Sequence, residues 1–141
     1  MSSADRYQEL TTRINRHLGP FRTAAPEVMQ GFGAMARGAM AAGALDEKTK
    51  ELIAMAIGVA ARCDGCLGFH AKALVRLGAT PEEFQEMLGV AVYMGGGPSL
   101  MYAAHALEAF EEFSAKASRE RLAACVRAAM IVRRNPPGAL P

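Results

Sequence analysis

Apolar residues recur along this chain at intervals of three and four, and no stretch alternates apolar and polar residues long enough to predict a strand. Tyr7, Leu10, Ile14 and Leu18 form one stripe, which Gly19-Pro20 is expected to end. Pro26 suits the first turn of a second helix whose apolar face carries Val28, Met29, Phe32, Met35, Ala36 and Met40. Asp46 is a candidate cap for a third helix over about 47–62, and its Leu52–Ala61 segment is apolar on every side, which predicts burial all round. A fourth helix follows Cys63-Asp64-Gly65-Cys66 and runs to Leu77, with Gly78 as its stop. Thr80-Pro81-Glu82-Glu83 joins a capping threonine, a first-turn proline and a capping-box glutamate. That fifth helix should end at Gly95-Gly96-Gly97, and Pro98 and Ser99 should open a sixth that runs through Phe113. A last amphipathic stretch over about 118–133 carries Leu122, Cys125, Ala129 and Val132 before Asn135-Pro136-Pro137-Gly138. The expected fold class is all-α, with about six to seven helices. A helical domain over 1–117 is followed by an amphipathic helix and frayed tail over 118–141.

Composition narrows the function classes. Hydrophobic residues make up 51% of the 141, rich for a small monomer, so some of that surface is expected to meet copies of the same chain. Basic and acidic residues number 16 and 14 and are interspersed, which predicts no nucleic-acid partner and no anionic membrane partner. The N-terminal MSSADRYQEL has no apolar core behind a basic start, and Leu52–Ala61 is too short to span a bilayer, so a cytoplasmic protein is expected. In that reducing compartment a C-x-x-C pair is more often catalytic or metal-binding than structural.

The informative stretch is Glu51-x11-Cys63-x2-Cys66-x3-His70. With a helix starting near Cys63, the two cysteines share a face and their Cα atoms lie roughly 5–6 Å apart, within disulfide reach. His70 follows one turn beyond Cys66 on that face. Unpaired N–H groups at a helix start favour a thiolate, lowering a thiol pKa from ~8.5 toward ~7. A thiolate attacks a peroxide oxygen to give a sulfenic acid, which a neighbouring thiol condenses with to a disulfide. Glu51, from the preceding helix, can hold the imidazole in its working tautomer.

These residues together resemble the signature of the alkylhydroperoxidase D-like, or carboxymuconolactone decarboxylase, family. The resemblance continues through LVRLGATPEEFQEM (74–87) and GGGPSLMYAAHALEAFEEF (95–113), and covers roughly Asp46 to Phe113. It implies an all-helical fold that assembles into homo-trimers or homo-hexamers, and peroxidase activity through a redox-active disulfide. By the family pattern Cys66 is the peroxidatic thiol, Cys63 its resolving partner, His70 the base and Glu51 the proton relay. The implied partners are a peroxide substrate and a dithiol reductant, such as a lipoylated or thioredoxin-like protein. No metal or organic cofactor is expected. This chain departs from the pattern at Gly65, where many peroxidase members carry a second histidine; His105 could supply an imidazole from another helix.

Other readings stand beside this one. Cys63, Cys66 and His70 with Glu51 or His105 could ligate zinc, although a set mostly on one helix closes poorly around a tetrahedral ion. The cysteines could also be inert packing thiols. Cys125 reads as a packing residue, His17 as a solvated helix-end residue, and Gly95–Gly97 as a turn. His105 reads first as a satisfied core or interface histidine and Asp64 as a helix-start residue; both are candidates for a supporting role at the site. Two alternative functions remain. One is lactone decarboxylation with His70 or His105 as proton donor, which has no need of a C-x-x-C pair. The other is a non-enzymatic redox-sensing or assembly subunit.

Overall fold

Local start and stop signals set most of the helix boundaries. A computed structural model describes residues 5–134, which form α1 (Arg6–Ala24), α2 (Pro26–Met40), α3 (Glu47–Ala60), α4 (Asp64–Arg76) and α5 (Pro81–Arg134). The Asp46 carboxylate accepts the Thr49 N–H at 2.7 Å and starts α3. Thr80 and Glu83 form the reciprocal capping box at α5, with Thr80 N–H to Glu83 Oε2 at 2.9 Å and Glu83 N–H to Thr80 Oγ1 at 3.2 Å. At the end of α4, Gly78 takes a φ of 73°, and the N–H groups of Gly78 and Ala79 return to the carbonyls of Val75 and Leu74.

The all-α expectation holds, with fewer helices than expected. Glycine 96, at φ 65° and ψ −156°, divides α5 into arms 81–95 and 97–134, and this conformation is essentially confined to glycine. A Cβ at Gly95 would overlap the Ser99 side chain, so the reversal needs both glycines. The arms fold back on each other, because the rings of Phe84 and Phe110 stack with centroids 4.3 Å apart. Beyond the reversal the helix does not stop at Phe113. Residues 114–117, Ser-Ala-Lys-Ala, contain no breaker, so the expected sixth and last helices are one continuous arm. The expected frayed tail over 135–141 lies outside the described residues.

Three further expectations are corrected. Helix α1 continues through Pro20 to Ala24. The proline removes one hydrogen bond to the carbonyl of Arg16, an exposed position where water can replace it. The Leu52–Ala61 segment is not buried all round, since Ile53 and Ile57 are 46% and 63% exposed while Met55, Gly58 and Val59 face the core. Cys125 is exposed on the projecting arm and does not pack into the core.

The core is formed by Met55 and Val59 of α3, Leu67, Ala71 and Leu74 of α4, and Phe84, Leu88, Ala103, Ala106 and Phe110 of α5. Helix α1 closes one side through Tyr7, which is fully buried. Asp5 makes no side-chain cap for α1. Instead Glu112, itself buried, accepts the Tyr7 N–H at 2.9 Å and the Gln8 N–H at 2.8 Å from across the fold. Helix α2 contributes no buried residue and leaves Val28, Phe32 and Met35 exposed. None of the helices among the described residues is long and apolar enough to cross a membrane.

Candidate active site

The cysteine pair sits where two helices meet with almost no loop between them. Helix α3 ends in a paired turn, with Arg62 N–H to the Val59 carbonyl and Cys63 N–H to the Gly58 carbonyl, both at 3.1 Å. Arg62 occupies the left-handed position at φ 55°, where glycine is usual. Cys63, the last residue of that turn, is also the N-cap of α4, and its Sγ accepts the Cys66 N–H at 3.2 Å. One residue therefore closes α3 and opens α4. Both sulfurs are fixed at the first turn of α4, where the helix dipole favours negative charge. Cys63 and Cys66 form a disulfide with Cα atoms 5.2 Å apart, and both residues are partly exposed.

Glu51 and His70 meet behind this turn. Glu51 is 8% exposed on α3, and its Oε2 lies 2.6 Å from His70 Nδ1 on α4. A proton on Nδ1 would point to the Glu51 carboxylate, and Nε2 lies outside that hydrogen bond. Gly58 lets α3 approach closely, since a Cβ there would come within 3.3 Å of Cys66 Cβ.

A second carboxylate–imidazole pair lies on the other side of the motif. Asp64 Oδ1 accepts the Tyr7 hydroxyl at 2.9 Å and lies 3.0 Å from His105 Nδ1, with Arg6 Nη2 at 3.9 Å. Burial and the hydrogen bond to Asp64 hold the Tyr7 phenol well above its ordinary pKa, so it stays a neutral donor. The Tyr102 and His105 rings lie 4.9 Å apart. Asp64 is therefore more than a helix-start residue: it ties α4 to α1 and α5.

Tyr7, Arg6 and Glu112 carried no sequence signal for this region, because the contacts to Asp64 and α1 span 57 to 105 residues. Helix α1 also explains Gly65. A Cβ there would reach 3.0 Å from Ile14 Cδ1, and one at Gly68 would reach 2.7 Å from Thr11 Cγ2. A side chain at position 65 would need the Ile14 side chain to shift. Among the described residues, no three His, Cys, Asp or Glu side chains converge as a metal-ligand set, so the zinc arrangement is not assembled.

A partly exposed disulfide at the start of α4 thus lies in a region that also holds two carboxylate–imidazole pairs, His70 with Glu51 and His105 with Asp64, each through Nδ1. Such a set can cycle between dithiol and disulfide and move protons beside the sulfurs.

Comparison with known proteins identifies the family of the chain. Residues 26–109 match the carboxymuconolactone decarboxylase family. An uncharacterized protein of Cupriavidus necator is 40% identical over 104 residues, covering 74% of this chain and 92% of its own. Uncharacterized protein 4 in the cox locus of Paracoccus denitrificans is 36% identical over 95 residues, covering 67% of this chain and 86% of its own. Among solved structures, the apo form of a carboxymuconolactone decarboxylase family protein from Legionella pneumophila is 61% identical with a TM-score of 0.77, over 78% of this chain and 98% of that one. A Thermotoga maritima family protein, described with a suggested involvement in antioxidative response, is 26% identical with a TM-score of 0.70, over 78% of this chain and 94% of that one. Helix α1 and the arm beyond residue 109 lie outside the family match. In sequence and in fold alike, this chain belongs to the carboxymuconolactone decarboxylase family.

Proposed function

We propose that the protein is a thiol-dependent peroxidase that reduces hydrogen or organic peroxides through Cys63 and Cys66. The observation that carries this reading is the Cys63–Cys66 disulfide across the first turn of α4, with His70 one turn further along that helix and paired to Glu51 of α3. In the reduced enzyme, Cys66 gives its proton to His70 and attacks the distal peroxide oxygen. The O–O bond breaks, the alkoxide leaves as alcohol on taking that proton back, and Cys66 becomes a sulfenic acid. The Cys63 thiol then attacks the Cys66 sulfur, water departs, and the disulfide forms. An external dithiol returns two electrons and two protons, and is itself oxidised to a disulfide.

Position supports each role. Cys66 is one helical turn from His70, and Glu51 stabilises the imidazolium formed when His70 takes the proton. Cys63, the N-cap, is three residues from Cys66 and needs no backbone rearrangement to pair with it. Asp64 and His105 hold the first turn of α4 against α1 and α5 and support the site without contacting peroxide.

Peroxide consumption with dithiothreitol as reductant tests the reading. Wild type is expected to turn over and C66S to be inactive; C63S, given one equivalent of peroxide with no dithiothreitol present, is expected to stop at a sulfenic acid on Cys66. H70N is expected to lose roughly 10²–10⁴-fold in kcat/KM, the usual worth of a positioned base. Lactone decarboxylation, which the family name raises, would survive replacement of both cysteines by serine. Wild-type levels of peroxide consumption in the double variant would refute the proposal.

A further inference from the structure

The second arm of α5 runs well past the core. From Arg119 to Ile131 every residue is exposed, Leu122, Val126 and Met130 among them, and the family match ends earlier, at residue 109. A free helix of this length is marginal in water, and helices in proteins owe most of their stability to the packing of an apolar face. Helix geometry fixes where that face points. Beyond Gly96 the helix is continuous, and Phe110 and Phe113 are buried in the chain's own core. Leu122 follows Phe113 by nine residues, about two and a half turns, and Val126 follows Phe110 by sixteen, about four and a half turns. Both therefore stand on the side of α5 opposite the core. Cys125, Ala129 and Met130 complete a stripe with them at intervals of three and four. The inner side of the arm is engaged instead, since Ala117 and Glu120 line a groove with Lys72, Val75 and Arg76 of α4.

Charge is concentrated on the same arm. Residues 118–134 hold five arginines and one glutamate, a net of +4; the whole chain carries +2, so the remainder carries −2. The even balance of the whole chain, which predicts no anionic membrane partner, hides this excess. By helix geometry Arg119 and Arg121 border the stripe on its two sides, while Glu120 and Arg127 stand behind it. Two copies of the arm paired through the stripe would bring two +4 segments together, with neither Glu120 facing the contact. An anionic surface complements the stripe and the charge at once.

We infer that the arm docks on an anionic lipid surface. It lies flat, with Leu122, Cys125, Val126, Ala129 and Met130 in the boundary between headgroups and acyl chains and its arginines at the lipid phosphates. Arginine suits that position, because its aliphatic stem can lie along apolar surface while the guanidinium stays at the headgroups. The arm rests in the interface and does not span: none of the helices among the described residues is long and apolar enough to cross a membrane. This docking is independent of the peroxidase reading, since it uses residues remote in sequence from Cys63 and Cys66.

The test uses the full chain with Cys125→Ser, which prevents disulfide-linked pairs, and vesicles of phosphatidylcholine with or without about 30 mol% phosphatidylglycerol. Partitioning into the anionic vesicles is expected to be at least roughly tenfold stronger, and to weaken as salt is raised. R119Q/R127Q and L122S/V126S are each expected to weaken it roughly tenfold or more. Both should keep the thermal midpoint unchanged, because all four side chains are exposed and outside the core. The chain has no tryptophan, so L122W reports the stripe and A124W the opposite side of the arm. The fluorescence of L122W is expected to shift to the blue on anionic vesicles, and that of A124W to stay unmoved. Equal partitioning into neutral and anionic vesicles, or none into either, would overturn the inference. So would equal shifts for the two tryptophan variants. A concentration-dependent dimer that is lost in L122S/V126S would overturn it as well, by giving the stripe to a second copy of the chain.

Discussion

Replacing Glu112 by alanine probes how the N-terminal helix is held over the cysteine pair. Glu112 is buried, and its two oxygens take the Tyr7 and Gln8 N–H groups at 2.9 and 2.8 Å. Both are hydrogen bonds to a carboxylate, and the Tyr7 N–H lies in a buried setting where water cannot fully replace the lost acceptor. The expected loss is about 2–4 kcal/mol, near the upper end for a capping residue because two donors are stranded. For a chain of this size that lowers Tm by about 5–12 °C. Chemical denaturation at fixed protein concentration reads the stability, and amide exchange locates it: α1 amides should exchange faster while those of α3 and α4 change little. E112Q, with one acceptor oxygen, is expected to fall between. A stability change within ~0.5 kcal/mol, with α1 protection unaltered, would refute the claim that Glu112 is the tertiary cap of α1.

Three further outcomes follow from particular residues. Arg62→Gly relieves a left-handed backbone position and should stabilise the α3–α4 junction by about 1 kcal/mol, seen as a raised denaturation midpoint. Gly68→Ala places a methyl 2.7 Å from Thr11 Cγ2 and should destabilise the fold by about 1–3 kcal/mol, with the largest increase in exchange in α1. The Asp46 carboxyl is held below its ordinary 3.8 by the Thr49 N–H, and that of Glu83 below 4.5 by Lys48 and the Thr80 N–H. Depressed carboxyl pKa values contribute stability above the ordinary range that is lost as pH falls through the lowered ones. Asp46→Asn should therefore flatten the loss of Tm between pH 5 and about 2.5, and an unchanged slope would count against the cap.

Much of the fold was legible in local chemistry. The Asp46 cap, the Thr80–Glu83 box, the Gly78 stop and the glycine break at 96 each act within a few residues, so each leaves a short signature. What failed depended on surroundings. Pro20 predicts a stop, yet an exposed helix carries it because water can take over the freed carbonyl. The apolar run Leu52–Ala61 predicts full burial, but only the face carrying Met55, Gly58 and Val59 has partners. Ile53 and Ile57 stay exposed, as do Val28, Phe32 and Met35 of α2, which keeps a role for self-association on these faces an expectation for measurement.

The candidate site divides in the same way. Glu51, Cys63, Cys66 and His70 are drawn from adjacent helices, and their spacing was readable because helix geometry fixes it. The Tyr7–Asp64–His105 cluster was not readable, since it joins positions far apart in the chain through a single carboxylate oxygen. Gly65 looked like a missing functional group. A Cβ there would lie 3.0 Å from Ile14 Cδ1, so glycine lets the Ile14 side chain of α1 sit close to the first turn of α4.

The most direct test is intact-mass analysis and peptide mapping of the reduced protein before and after one equivalent of hydrogen peroxide. It is best done in a Cys125→Ser background, because Cys125 is exposed and could couple two chains. A loss of two hydrogens, mapped to a Cys63–Cys66 bond, is expected within a single turnover. A protein that keeps both thiols, or gains oxygen on one sulfur without pairing, would contradict it.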